Sequence, residues 1–185
     1  MEKTIYPTGF ETWFKILAPS EGMLADRPTS EDKGGLTMRG ITFATFKRVA
    51  KSVLGIEPTE ANLRALTAEQ AKKITYEEYW LARGVNQALP EYRTLVADSL
   101  FLGGGVPSLG YSNISALNKA KPTITVIATN RLNYLKKLHN WESNKNGWTT
   151  RLENMTGNVV KFSKENLTSV FLLLILAVVF ITLKN

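Results

Sequence analysis

The stretch from Ser20 to Thr42, SEGMLADRPTSEDKGGLTMRGIT, separates one strongly patterned helix from a run of others and sets the architecture. It is rich in Gly, Pro, Asp, Ser and Thr, residues that favour turns, so we expect a small β-hairpin or an ordered loop here rather than a helix. On its N-terminal side, Phe10 to Leu17 carries apolar residues at i, i+3, i+4 and i+7, which predicts an amphipathic helix. Pro19 ends that helix.

After Thr42 the sequence is dominated by helical signals. Thr42 is typical of an N-cap, and Thr67 to Gln70 forms a capping box that begins a longer helix reaching about Ala82. A further helix is predicted at 92–101 and is broken by the glycines at 103–105. The stretch 114–138 is also helical in character, with Pro122 expected in a first turn, and residues 148–155 end the globular part. The chain is therefore predicted to be mainly α with one small β element.

The composition limits the chemistry that is available. Among 185 residues there are 23 Lys and Arg, 16 Asp and Glu, one His and no Cys, which gives a net charge of +7. The absence of Cys excludes disulfide frameworks, thiolate metal sites and cysteine nucleophiles, and a single His argues against a His-based metal centre. Proton transfer is therefore expected from carboxylates. The basic charge fits an anionic partner such as cell wall or anionic lipid, and without a supporting motif we expect no nucleic acid.

A long apolar run lies near the end of the sequence. Residues 170–181 read VFLLLILAVVFI, and no charge interrupts the chain between Glu165 and Lys184. A helix over 167–183 would be about 25 Å long, close to the thickness of a hydrocarbon core. A buried core helix is the alternative, but a run that is apolar on every face is unusual in so small a domain. We predict a transmembrane anchor at 167–183, a linker at 158–166 and a globular domain at 1–157.

Carboxylates cluster in the Ser20–Thr42 stretch. Glu21 follows the first helix, where partial burial would raise the pKa of its carboxyl group and let it donate a proton at neutral pH. Asp26 and Asp32 could lie opposite Glu21, and Thr37 adds a hydroxyl that could orient water. Glycoside hydrolysis requires two facing carboxyl groups. The same residues are compatible with solvated loop acids, so spacing alone leaves both interpretations open.

These residues belong to an ordered set of motifs that resembles glycoside hydrolase family 108, a family of phage- and prophage-associated N-acetylmuramidases. The similarity extends from about Phe10 to Met155. Its pieces, in chain order, are Glu21-Gly22, Asp32-x-Gly34-Gly35-x-Thr37, Gly40-Ile41-Thr42, Leu66-Thr67 through Tyr79-Trp80, Leu89-Pro90 and Gly147-Trp148-x-x-Arg151. The resemblance implies a lysozyme-like α+β fold that is mainly helical, with the small hairpin after the catalytic Glu.

The resemblance also implies roles for individual residues. Glu21 would be the catalytic acid, and Asp32 with Thr37 would position the attacking water, with Asp26 as a rival second carboxylate. The side chains that the resemblance places along the sugar groove are Arg39, Tyr79 and Trp80. It implies no metal and no organic cofactor.

Two segments depart from the family pattern. Ten residues, Gly22 to Glu31, separate Glu21 from Asp32, where the family typically has eight. The family segment F-D-x-A-V-N-x-G is aligned here with Phe101 to Val106, which lacks the Asp and the Asn. Since a lytic transglycosylase needs only one acid, hydrolase and transglycosylase chemistry both stay open.

The resulting hypothesis is a membrane-anchored peptidoglycan hydrolase that cleaves the β-1,4 bond between N-acetylmuramic acid and N-acetylglucosamine. The phage association of the family suggests a virion component that acts when the bacteriophage enters its host or at lysis, located in the virion membrane or the host inner membrane. Its expected partners are peptidoglycan, the lipid membrane and other virion proteins. The alternative is a membrane-bound structural or glycan-docking virion protein with a degenerate muramidase fold.

Overall fold

The computed structural model describes residues 5–18, 24–26, 35–157 and 160–162, with residues 24–26 given by their backbone. Over these residues the chain forms eight α-helices and one antiparallel sheet. The helices are α1 (Thr8–Leu17), α2 (Phe43–Val49), α3 (Glu60–Arg64), α4 (Ala68–Thr75), α5 (Arg93–Phe101), α6 (Ile114–Ala120), α7 (Ile124–Leu135) and α8 (Trp141–Met155). The strands are β1 (Leu24–Asp26), β2 (Leu36–Met38) and β3 (Ile41–Thr42). The mainly helical prediction with one small β element is confirmed.

Several tighter or wider turns extend these helices. Two π-helical segments continue α2 and α4, over Ala50–Leu54 and Tyr76–Leu81. Short 3₁₀ segments lie at Val85–Gln87, Pro90–Tyr92 and Val106–Leu109. Because α4 runs directly into its π segment, residues 68–81 form one continuous rod.

Local signals set several helix boundaries where the sequence predicts them. The Thr42 hydroxyl accepts a hydrogen bond from the Thr45 amide at 3.1 Å, which satisfies one of the free N–H groups at the start of α2. At α4 the capping box is complete, because the Thr67 side chain accepts from the Gln70 amide while the Gln70 side chain accepts from the Thr67 amide. Gly55, with a φ of 71°, ends the first π segment in a left-handed conformation.

Two helical regions differ from the prediction. The stretch 114–138 contains two helices that separate at Lys121, whose φ is 45°, because the residue before a proline is disfavoured in the α region, and Pro122 precedes the N-cap Thr123 of α7 instead of lying in its first turn. Helix α8 begins at Trp141, where the sequence predicts no helix. Gly147 lies inside α8 and destabilises this helix by about 1 kcal/mol relative to Ala. Packing of Trp141 and Trp148 against the hydrophobic core offsets this loss.

The sheet is built from two antiparallel pairings. Strands β1 and β2 pair Leu24 with Met38 and Asp26 with Leu36, and β2 pairs with β3 through Met38 and Ile41. The turn between β2 and β3 consists of Arg39 and Gly40, with φ values of 51° and 78°. Two positive φ values in a two-residue turn match the twist of a tight hairpin.

The buried side chains fall into two separate cores. The first contains residues of α1, α5, α7, α8 and the π segment Tyr76–Leu81, and we call these elements, together with α6, the helical lobe. The second contains residues of β2, β3, α2, α3 and α4, which we call with β1 the sheet lobe. The rod 68–81 joins the lobes, since Ala71 and Ile74 are buried in the second core and Trp80 in the first.

The C-terminal part is described only as far as residue 162. Within the described ranges, no helix combines the length and the apolar character that crossing a membrane requires. The predicted anchor at 167–183 lies outside the described residues. Of the predicted linker, the structure describes 160–162, where Val160 is buried and Phe162 packs against the first core.

Candidate active site

The proposed acid lies on a segment that connects the two lobes along the chain. Helix α1 of the helical lobe ends at Leu17, and strand β1 of the sheet lobe begins at Leu24. Glu21 falls between them, and Asp32 falls between β1 and β2; both lie outside the described residues. Junctions between lobes are preferred positions for ligand sites.

Asp26 and Thr37 both lie on the sheet, but they are not paired with each other. The register pairs Thr37 with Ala25, and Asp26 with Leu36. Met38 is buried in the second core, and because side chains alternate along a strand, Thr37 faces the opposite side of the sheet. The Thr37 hydroxyl donates a hydrogen bond to the Gly35 carbonyl at 3.2 Å. Its oxygen therefore keeps lone pairs that can accept from water.

The Arg39 side chain makes a hydrogen bond within the sheet lobe that the sequence does not predict. Its Nε donates to the Leu66 carbonyl at 3.1 Å, which ties the β2–β3 turn to the connection between α3 and α4. One edge of the planar guanidinium is thereby committed to the sheet lobe. The side chain is half-buried, so its contribution to a sugar groove would come from the remaining edge.

The neighbours Tyr79 and Trp80 have different environments. Trp80 is fully buried, its Nε1 donates to the Asn86 Oδ1 at 2.6 Å, and its ring centroid lies 5.5 Å from that of Phe10. The prediction that Trp80 lines a sugar groove is therefore wrong, because its side chain lies in the first core and is not accessible to a sugar. The π segment Tyr76–Leu81 directs this position into the core. Tyr79 is half-buried and packs edge-on against Phe101, with ring centroids 4.7 Å apart. Of this pair, only Tyr79 presents surface to a ligand.

A buried ionic cluster, which none of the sequence motifs predicts, lies at the end of α5. Asp98 and Arg131 are both almost fully buried, with Asp98 Oδ2 3.4 Å from Arg131 Nη2, and Arg151 Nη1 lies 3.7 Å from Asp98 Oδ1. Burial raises the pKa of the Asp98 carboxyl, and the charges of Arg131 and Arg151 oppose that rise. Burial likewise lowers the pKa of Arg131. The cluster links α5, α7 and α8.

The same arginine fixes the glycine-rich loop that follows α5. Arg131 Nη1 donates to the Gly103 carbonyl and to the Ser108 hydroxyl, both at 2.8 Å. Gly104 has a φ of 88°, and a Cβ built on it would lie 2.5 Å from the Tyr134 ring. The loop is therefore held by Arg131 and lies directly on Tyr134, which requires glycine at position 104.

A spacing in the sequence could have revealed Asp98. In the pattern F-D-x-A-V-N-x-G the Asp and the last Gly are six positions apart, and Asp98 and Gly104 have the same separation. If the first position of the pattern is aligned with Ala97 instead of Phe101, Asp98 takes the place of the family Asp and Leu102 takes the place of the family Asn. When the pattern is aligned from Phe101, Asp98 falls outside it and is overlooked.

The described ranges contain no group of three or more His, Cys, Asp or Glu side chains that could hold a metal ion. His139, the one His of the chain, is exposed in the connection between α7 and α8.

Comparison with known proteins supports the resemblance in part. Residues 14–104 match the family model described as glycosyl hydrolase 108, a range that includes all the candidate residues from Glu21 to Trp80. The chain is also similar to the solved structure of SagA from Brucella abortus, with a TM-score of 0.60 and 23% sequence identity, over 84% of this chain and 96% of that chain. This likeness shows a shared fold. No curated protein sequence matches the chain.

Proposed function

We propose that this protein is a peptidoglycan hydrolase that cleaves the β-1,4 bond between N-acetylmuramic acid and N-acetylglucosamine. The observation that carries the proposal is the match of residues 14–104 to glycosyl hydrolase 108, because this range contains the acid, both candidate second carboxylates and the hydroxyl. The sequence position of that acid, between α1 of the helical lobe and β1 of the sheet lobe, also supports the proposal.

In the proposed reaction Glu21 gives its proton to the glycosidic oxygen as the bond to the anomeric carbon breaks. A water molecule attacks that carbon, and its released proton passes to the second carboxylate, for which Asp32 is our first candidate and Asp26 the rival. Thr37 accepts a hydrogen bond from the water, because its own proton is used on the Gly35 carbonyl. One water is consumed, and each product gains a hydroxyl group.

Substrate contacts are proposed for Tyr79 and Arg39. An aromatic ring with an accessible face can pack on a sugar, and a guanidinium suits the carboxylates of peptidoglycan. Trp80 is left out of this set, because it is fully buried. No metal or organic cofactor takes part in the proposed reaction.

The cellular setting is a further part of the proposal. The apolar run 167–183 is proposed to anchor the domain in a membrane, as a bacteriophage virion protein or in the host inner membrane. Its length and uniform apolar character support the anchor, and the phage association of the similar family supports the virion. Peptidoglycan, lipid and other virion proteins would be its partners.

Clearing of purified peptidoglycan by the full chain tests the activity. We expect the wild type to lower the turbidity of a wall suspension and Glu21→Gln, which cannot donate the proton, to lose this activity by about a hundredfold or more. Glu60→Gln is the matched control, because Glu60 is an exposed carboxylate in the first turn of α3. Equal clearing by wild type and Glu21→Gln would refute the role of Glu21.

A second candidate function is glycan docking without cleavage. It is favoured by the Leu at position 102, where the family pattern has Asn, and by the longer spacing between Glu21 and Asp32. In the same assay this candidate predicts that wild type and Glu21→Gln both sediment with peptidoglycan and neither clears it.

A further inference from the structure

Three contacts bring four helix ends together at one end of the helical lobe. The Tyr92 hydroxyl, at the start of α5, donates to the Pro122 carbonyl just before α7 at 2.9 Å. The Thr94 hydroxyl donates to the Met155 carbonyl at the end of α8, at 3.4 Å. The start of α1 lies beside Arg93, since a Cβ added to Gly9 would be 3.8 Å from the Arg93 Cδ. We call this end, where α1, α5 and α7 begin and α8 ends, the exit pole.

The name follows from the path of the chain after α8. Val160 is only 6% exposed, and the Phe162 amide donates to Glu153 Oε1 at 2.7 Å. Glu153 belongs to the last turn of α8, so residues 160–162 are held against the exit pole. The chain therefore passes from this pole into the sequence that carries the apolar run 167–183.

The exit pole also carries the exposed apolar side chains. Over the part of the chain that the structure describes, three large apolar residues are exposed: Ile5 (91%), Val126 (45%) and Leu81 (40%). Ile5 precedes α1, and Val126 lies in the first turn of α7. Leu81 follows Trp80, whose ring would lie 3.3 Å from a Cβ on Gly9. Ile5 and Val126 are thus at the starts of helices that meet at this pole, and Leu81 ends the π segment whose Trp80 lies beside the start of α1.

Basic side chains accompany these apolar residues. Lys119 and Lys121 are exposed at the end of α6, immediately before Pro122, and Lys161 is exposed on the segment held at Glu153. Glu91, beside Tyr92, is an exposed acid at the same pole. Exposed apolar residues among lysines are the composition of a surface that contacts the interface of an anionic membrane.

Helix α1 leads away from the exit pole toward the part of the sequence that holds the proposed acid. Helix α1 starts at the exit pole and ends at Leu17, and Glu21 follows four residues later. Helix α8, which ends at the exit pole, begins at Trp141 and is 15 residues long, or about 22 Å. Helix α1 therefore ends, four residues before Glu21 in the sequence, on the side of the lobe that faces away from the exit pole.

We infer that the exit pole is a lipid-facing surface that rests on an anionic bilayer and holds the opposite end of the helical lobe, where α1 ends and α8 begins, away from the membrane. The inference rests on the proposed anchor at 167–183. It goes beyond that anchor because it specifies which face of the globular domain meets the headgroups. For a tethered wall hydrolase, this orientation directs the end of α1, from which the sequence continues to Glu21, to the wall instead of the bilayer.

Single thiol labels test the orientation, because the chain contains no Cys. The full chain is reconstituted into vesicles of phosphatidylcholine and phosphatidylglycerol that carry a headgroup quencher, after labelling of Ile5→Cys, Val126→Cys or Ser143→Cys. Ser143 is the matched control, exposed in the first turn of α8 at the other end of the lobe. We expect a loss of fluorescence at positions 5 and 126, and little or none at 143.

Charge reversal tests the identity of the partner. The Lys119→Glu/Lys121→Glu double variant, with the label at position 126, is expected to lose most of the quenching in phosphatidylglycerol vesicles and none in vesicles of phosphatidylcholine alone. Equal quenching at 143 and 126, or failure of the chain to float with vesicles, would overturn the inference. Shielding of position 126 by purified peptidoglycan instead of vesicles would also overturn it. Wall clearing is measured separately, so an inactive chain with the expected quenching would refute the proposed activity and leave the orientation standing.

Discussion

Replacing Arg131 by methionine gives the sharpest test of what holds the helical lobe together. Arg131 is fully buried and joins Asp98 of α5, the Gly103 carbonyl and the Ser108 hydroxyl. Methionine keeps much of the apolar stem and removes the charge and every donor. The substitution therefore leaves the Asp98 carboxylate buried with Arg151 as its remaining cationic neighbour.

The expected loss can be estimated from these contacts. Removal of one partner from a buried ion pair costs about 3–5 kcal/mol. Arg151, 3.7 Å from Asp98 Oδ1, offsets part of this cost, whereas each of the two lost hydrogen bonds to the glycine-rich loop adds about 1 kcal/mol. We expect Arg131→Met to lower the free energy of unfolding by about 3–5 kcal/mol.

Urea unfolding of the full chain in detergent, followed by tryptophan fluorescence, measures this loss. Arg83→Met is the matched control, because Arg83 is exposed and the same substitution there should change stability by less than about 0.5 kcal/mol. A loss below about 1 kcal/mol for Arg131→Met, with an unchanged slope, would refute the view that this arginine compensates a buried charge.

The pH dependence of the loss tests the same reasoning independently. Burial raises the pKa of Asp98 above its value in the unfolded chain, and removal of Arg131 raises it further. The ionised Asp98 carboxylate therefore destabilises folded Arg131→Met. As the pH falls through the raised pKa of Asp98, this carboxylate is protonated and the destabilisation decreases. The deficit of Arg131→Met relative to wild type should be largest at neutral pH and smaller near pH 4–5, above the ordinary Asp pKa of about 3.9. A deficit that grows on acidification would contradict the assignment.

Three further substitutions test local features of the fold by the same unfolding measurement. Gly104→Ala should lower the free energy of unfolding by about 3 kcal/mol, because the new Cβ meets the Tyr134 ring and the backbone has a left-handed φ. Gly103→Ala has the same φ but open space around the Cβ, so it should lower the free energy of unfolding by about 1–2 kcal/mol. Equal losses for the two variants would show that the clash with Tyr134 is relieved. Thr67→Ala should cost about 1 kcal/mol by removing the hydroxyl that accepts from the Gln70 amide, and a neutral effect would show that the capping box does not stabilise α4.

Features that depend on neighbours in the sequence are the ones that the sequence predicts well. The apolar stripe of α1 and the capping box of α4 involve residues three or four positions apart, so the pattern contains all the information needed. The start of α8 at Trp141 is not predicted because Gly147 weakens the helical signal, and the packing of Trp141 on the first core is a tertiary effect.

The candidate site shows the same division. Thr37 is half-buried on the face of β2 opposite Met38, as strand alternation predicts, and its role toward water stays a prediction. Trp80 and Tyr79 are adjacent in sequence, and only the π segment and the aromatic core determine which of them is buried. The pairing of Asp98 with Arg131 joins residues 33 positions apart, which no local pattern indicates.

Hydrolysis with Glu21 as the acid is tested most directly by mass analysis of the fragments that the full chain and Glu21→Gln release from purified peptidoglycan. We expect the wild type to release muropeptides with free reducing N-acetylmuramic acid ends and Glu21→Gln to release essentially none. Release of the same fragments by both proteins, or of fragments with 1,6-anhydro ends by the wild type, would contradict this mechanism.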